Sequence, residues 1–183
     1  LDEACVAWNI IKHSYSGLTG PLEYGQAAPL FFLYTTKLFA ELFGYQDIVY
    51  RLLPFIAGVL SLGLFYVLVR KIFDKKLTTI AMLFFACSQQ LIYYTQELKP
   101  YSMDVFCALV LLLLFFHVQE NNAFKPVNAV MLGVAGSLAL WFSFTTLFLI
   151  AAGSIYFVVL YFYKKRAIFL LPILFWLLNT TAF

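Results

Sequence analysis

Charge is scarce in this chain of 183 residues: aspartate, glutamate, lysine and arginine together make up 11% of it, against about a quarter of an ordinary soluble domain. Sequence patterns that bind metals or form disulfide frameworks are missing too. The three cysteines, Cys5, Cys87 and Cys107, show no CxxC spacing, and the last two lie inside apolar runs, where cysteine behaves as a small hydrophobe. They do not report the redox compartment. The two histidines, His13 and His117, are isolated and are expected on opposite faces of the membrane, so no metal-ligand set is expected. No low-complexity linker divides the chain. It opens on Leu1 without a basic and then apolar leader, and is expected to be a fragment of a longer protein. The net charge of +3 is too small to argue for nucleic acid as a partner.

What remains is apolar. Hydrophobic residues make up 63% of the sequence and mean hydropathy is +0.89, whereas a soluble domain is roughly half apolar. A water-soluble globular domain is therefore excluded, and the bilayer is the main solvent. The apolar runs are long. Residues 48–69, 77–94 and 101–118 each match a membrane-crossing helix, and residues 127–163 stay apolar for 37 positions, close to twice the ~20 that one crossing takes. That run must reverse, and the small polar residues at 143–146 mark the place. A last span opens at Ala167 and contains Pro172. The expected fold is all-α: a polytopic membrane helix bundle over 48–183 with about six spans, the last one truncated.

Residues 1–47 differ. Ala4, Ala7, Ile10 and Ile11 recur at helical spacing behind Asp2 and Glu3, which suit the first turn of a helix. Gly and Pro punctuate 16–29, and a second apolar-faced helix is predicted over 30–43, between Pro29 and Gly44. Both are too short to span, so they are expected to lie at the interface within a large first external loop.

The charged residues are sorted by side. Arg70, Lys71, Lys75, Lys76, Lys125, Lys164, Lys165 and Arg166, eight of the twelve basic residues, fall in alternate loops, which predicts a cytoplasmic face. Asp2, Glu3, Glu23, Glu41, Asp47, Glu97 and Asp104 go to the other face, leaving Asp74 and Glu120 inside. Ionisable groups near membrane depth are costly unless paired or functional. Asp2, Glu3, Arg51, Glu97 and Lys99 all map to outer helix ends and are expected to converge. Moving a sugar from a lipid phosphate to a hydroxyl takes a base for the acceptor proton and cations for the departing phosphate, and this set contains both.

Three phrases carry a resemblance to a family. They are LDEA at 1–4; YGQAAPL at 24–30 followed by LFG at 42–44 and RLLP at 51–54; and SQQLIYYTQELKPYS at 88–102. Together they resemble the GT-C class glycosyltransferases dependent on polyprenyl-phosphate sugars, the group of protein O-mannosyltransferases and lipid A aminoarabinose transferases. The likeness covers roughly the first 105 residues, and the remainder matches only as membrane helix. It implies a spanning helix before Leu1 and further helices after Phe183. It also implies a polyprenyl-phosphate-linked sugar as donor, an unspecified acceptor, and a site on the external face of a bacterial or archaeal cell membrane, with inversion at the anomeric centre.

The resemblance implies Asp2 as general base with Glu3 as its support; on helix physics alone both serve as first-turn acids. Arg51 is either a contact for the lipid-linked phosphate or an interfacial anchor. Lys99 stands where an arginine is frequent, keeping the charge but losing the bidentate fork. Glu97 and Tyr101 share a face with Gln96 if that stretch is helical. Gln26 and Pro29 match the family's loop, but Ala27 and Ala28 replace the glutamate-lysine pair of the aminoarabinose transferases. Asp104, about one turn inside its span, needs a partner such as Lys99. No cofactor is indicated. A transporter or lipid flippase would instead show interrupted helices in paired positions, and a non-catalytic scaffold would tolerate loss of Asp2.

Overall fold

The computed structural model describes residues 2–120 and 125–180, with Glu120 and Thr180 followed in their backbone only. Among the described residues all regular structure is helical. The first helix, α1 (Asp2–Lys12), has Asp2 and Glu3 in its first turn and Lys12 in its last, each sign at the end its dipole favours. Val6 and Ile10, one turn apart, are buried beneath it with Phe32 and Leu33 of the second helix, α2 (Leu30–Phe43). The boundaries of α2 follow from its flanks. Pro29 precedes it in extended backbone, and Gly44 ends it at φ +98°, a conformation open to glycine.

The connection between them contains two short 3₁₀ turns, Gly17–Thr19 and Glu23–Gly25. Asn9 fixes it to α1. Its fully buried amide accepts from the Glu23 N–H (2.8 Å) and donates to the carbonyls of Cys5 (2.7 Å) and Glu23 (3.3 Å). Lys37 of α2, also buried, donates from Nζ to the Ile10 carbonyl at 2.9 Å, neutralising the negative end of α1, with Glu41 at 3.5 Å.

The predicted first span over 48–69 is broken near its start into α3 (Asp47–Tyr50) and α4 (Leu52–Ile72), with Arg51 at the junction. Pro54 explains the break: it has no N–H for the Tyr50 carbonyl, and its ring would crowd that carbonyl if the helix ran through. The predicted second span over 77–94 is also divided, into α5 (Lys75–Ala86) and α6 (Gln89–Thr95), bent by 53°. Ser88 is extended at the bend, and α6 comes so close to α4 that a Cβ on Gly58 would fall 2.1 Å from Thr95 Cγ2. The reversal expected within 127–163 is present. α7 (Tyr101–Glu120) is followed by α8 (Pro126–Phe142) and α9 (Thr146–Lys164), which reverse at Ser143. After a turn at Ala167–Leu170, α10 (Leu171–Thr180) carries Pro172 in its first turn.

The fold is an all-α membrane helix bundle. α4, α7 and α9 are long and apolar enough to cross a bilayer, α5 with α6 makes a fourth crossing if the bent pair is one span, and α8 and α10 are apolar but shorter. α8 has 17 residues, about 25 Å at ~1.5 Å per residue. Large apolar side chains such as Phe84, Phe148 and Phe162 face outward, as a lipid-solvated surface requires.

Connectivity and packing separate two ends. Asp104, near the start of α7, meets Ser143 and Thr145 of the α8–α9 turn, while Gln119 at the far end of α7 meets Tyr156 of α9. Arg70, Lys71, Lys75, Lys164, Lys165 and Arg166 belong to that far end, and α1 and α2 pack across the near one. The Glu120 side chain lies outside the described residues.

At the α8–α10 contact, aromatic rings sit directly over glycine. A Cβ on Gly136 would come within 2.2 Å of Trp176 Nε1, in a ring that is itself buried. Gly136→Leu is therefore expected to destabilise the bundle by about 1–3 kcal/mol, read as a lower melting temperature in detergent, whereas Gly63→Ala, where nothing lies within 4 Å, leaves it unchanged.

Candidate active site

The near end gathers charge from three separated segments. Glu3 projects from the first turn of α1 to the Arg51 junction, with Nη2 to Oε2 at 3.1 Å, and its other oxygen accepts the Leu98 backbone N–H. Asp2, beside it, is met by Lys99 Nζ at 3.2 Å from Oδ2 and by the Gln26 amide at 3.5 Å from Oδ1. Lys99 also reaches Gln26 Oε1 at 3.5 Å. Local structure makes this convergence work. Residues 96–100 leave helical geometry between α6 and α7, which frees the Leu98 N–H for a side-chain acceptor, and Leu98 itself is buried in the core beneath α1.

Exposure differs across the pair: the Lys99 side chain is 17% exposed and that of Asp2 is 74% exposed. The ammonium is held in the protein while the carboxylate stays open to solvent or ligand. The hydrogen bond and charge of Lys99, with the Gln26 amide, hold the Asp2 carboxyl below its ordinary range, so it is ionised at neutral pH. Glu23 is similarly lowered, chiefly by its Lys12 hydrogen bond, and it also takes the Trp8 indole N–H at 3.2 Å.

Of the residues singled out in the sequence, Asp2, Glu3, Gln26, Arg51 and Lys99 meet directly. Glu97 stands at the edge, accepting from the Tyr93 hydroxyl, which also feels the charge of Glu3. Gln96 is exposed and outside the network. Residues 96–100 are non-helical, so the condition on which Gln96, Glu97 and Tyr101 would share a helical face is not met; Tyr101 lies against Tyr94, centroids 4.5 Å apart. Asp104 does not pair with Lys99. It accepts from the hydroxyls of Ser143 and Thr145, for Lys99 is already committed to Asp2 and Gln26. Tyr93, the Leu98 N–H and the Ser143–Thr145 pair were not found by sequence reasoning. In the sequence the polar interruption at 143–146 signals a turn and gives no sign of a partner for Asp104. Among the described residues no three His, Cys, Asp or Glu side chains are grouped to hold a metal.

Two cavities lie near this end of the bundle. An apolar groove of about 160 Å³ runs between α4, α6 and α7, lined by Phe55, Val59, Leu62, Ile92, Tyr94 and Tyr101. A wider cavity of about 410 Å³ lies under the loop that carries Gln26, between it, α2 and the end of α8.

The sequence profile of the dolichyl-phosphate-mannose-protein mannosyltransferase family matches residues 27–182. No curated protein and no solved structure matches the chain.

If Lys99 is what lowers Asp2, a carboxyl-resolved NMR titration of the protein finds the Asp2 midpoint below 3.8, and Lys99→Ala returns it towards that value. The Asp2 contribution to this contact is accordingly complete above the unperturbed value and is lost as pH falls through the lowered one.

Proposed function

The chain belongs to the dolichyl-phosphate-mannose-protein mannosyltransferase family, membrane glycosyltransferases that use a lipid-linked sugar, and from that premise we propose that it transfers one sugar from a polyprenyl-phosphate carrier to a hydroxyl at the external face. The observation that carries the proposal is the contact of Asp2 with Lys99 at 3.2 Å beside Glu3 with Arg51 at 3.1 Å. It sets a base and two cations side by side at the end of the bundle opposite the lysine-rich loops. The sorting of basic residues favours that end as external.

In this reading the prenyl chain enters the apolar groove between α4, α6 and α7. Arg51 stands just before α4 and Lys99 just before α7, so the phosphate of a lipid in the groove would meet both. The acceptor oxygen forms a bond to the anomeric carbon. The bond from that carbon to the phosphate oxygen breaks, and its electron pair leaves with the lipid phosphate. Asp2 takes the acceptor proton, and the two cations offset the charge that grows on the leaving group. Glu3 positions Arg51 and the 97–99 segment.

Lys99 links the two halves of this chemistry. In the free protein it lowers the basicity of Asp2. A donor phosphate that draws the ammonium to itself weakens that hold, so the carboxylate becomes a stronger base once the donor is bound. Tyr101 serves here as a wall of the groove, not as a partner of the carboxylates.

A transporter would show broken helices in paired positions. Among the described residues the bent pair α5–α6 is one such break and has no second bent pair as its counterpart.

In the full-length protein, supplied with radiolabelled polyprenyl-phosphate mannose, Asp2→Asn is expected to lower transfer by ~10²–10⁴ with little change in donor KM. Lys99→Ala is expected to raise donor KM. Undiminished transfer by a folded Asp2→Asn protein removes Asp2 from the chemistry.

A further inference from the structure

We propose that the 410 Å³ cavity beneath the Gln26 loop is the subsite for the acceptor, and that Trp141 and Phe144 select which hydroxyl compound enters it. The inference rests on the transfer reaction proposed above and adds the place from which the attacking oxygen arrives.

The two oxygens of Asp2 face different surroundings. Oδ2 is held by Lys99, whereas Oδ1 faces the Gln26 amide at 3.5 Å, and Lys99 also reaches Gln26 Oε1 at 3.5 Å. Gln26 is the residue the network shares with the cavity wall. Displacement at the anomeric carbon brings the acceptor from the side opposite the departing phosphate, and of the two cavities it is this one, not the apolar groove, whose wall contains a hydrogen-bond partner of Asp2. In this proposal Oδ1, the oxygen that faces Gln26 of the cavity wall, takes the acceptor proton.

The lining suits a hydroxyl compound with some apolar surface. Trp141 and Phe144 contribute aromatic surface from the end of α8 and the turn that follows. Trp141 is held in place, stacked on Phe31 with centroids 5.3 Å apart and donating its indole N–H to Asn179 at 3.1 Å. A fixed ring of this kind offers contact area at low entropic cost. Across the cavity, Gln26 and the residue preceding α2 are in extended backbone, and the N–H groups of Ala27 and Ala28 take no hydrogen bond among the described residues. Those donors fit carbonyl or hydroxyl oxygens of an acceptor. The volume lies within the ~300–1,000 Å³ usual for small-molecule sites.

The experiment uses the full-length protein in native membranes with radiolabelled polyprenyl-phosphate mannose, measuring label passed to endogenous acceptors across a series of donor concentrations. Ala27→Trp fills the cavity from an exposed position, and Trp141→Ala removes its aromatic wall. The expected result is a loss of transfer at saturating donor, about tenfold or more for Ala27→Trp and about threefold or more for Trp141→Ala, with donor KM within twofold of wild type. A raised donor KM with full transfer at saturation would put the donor in this cavity and overturn the assignment, as would unimpaired transfer by Ala27→Trp. If Ala27→Trp does not accumulate, Trp141→Ala carries the test through the same split. Inactive Asp2→Asn beside fully active Ala27→Trp sinks the subsite alone, whereas no transfer by the wild type sinks the reaction and the subsite together.

Discussion

Adjacent carboxylates at the start of one short helix reach two cations that are distant in sequence, and the near end of the bundle is organised around those contacts. Asp2 holds Lys99 and Glu3 holds Arg51, with the Leu98 N–H as a third attachment. Ion pairs whose carboxylate is open to solvent contribute too little to place α1 on the bundle. That work falls to the apolar layer beneath, where Val6, Ile10, Phe32, Leu33 and Leu98 are buried together. The charges instead fix orientation: once packing has set α1 in place, they decide where each carboxylate oxygen points.

The arrangement divides labour between the two ends of the membrane helices. The far end carries most of the lysine and arginine, which anchor loops and set orientation. The four remaining cations, Lys12, Lys37, Arg51 and Lys99, each meet a carboxylate at the near end. Lys37 and Lys12 have structural work there, closing α1 against α2 and against the Glu23 turn. Arg51 and Lys99 stand at helix junctions instead, just before α4 and α7, two of the helices that wall the apolar groove. Cations of one type thus serve two purposes, separated by what lies next to them.

Much of the helix plan was legible from local signals. Pro29 and Gly44 bound α2 as expected, and the polar step at 143–146 marks the α8–α9 reversal. Hydropathy averages over the breaks at Arg51 and at Cys87–Ser88; Pro54 signals the first in the sequence itself, whereas the second shows only in the structure, where α6 packs closely on α4 at Gly58. For the site, signs of charge and side of the membrane nominate Asp2, Glu3, Arg51, Glu97 and Lys99, of which Glu97 stands at the edge of the network. Partners were another matter. Helical spacing assigned Tyr101 to Glu97 and proximity in sequence assigned Asp104 to Lys99, yet the non-helical 96–100 segment and the α8–α9 hydroxyls, distant in the chain, determine the outcome.

The central claim is that the start of α1 and the 97–99 segment meet at one rim, away from the lysine-rich loops. Disulfide cross-linking in the full-length protein tests it most directly, with Cys5, Cys87 and Cys107 replaced by alanine and cysteines introduced as Asp2→Cys with Lys99→Cys, or Asp2→Cys with Lys75→Cys as the control. The account predicts rapid oxidant-driven cross-linking of the first pair and none of the second. Cross-linking of the 2–75 pair, or its absence from the 2–99 pair, would contradict it.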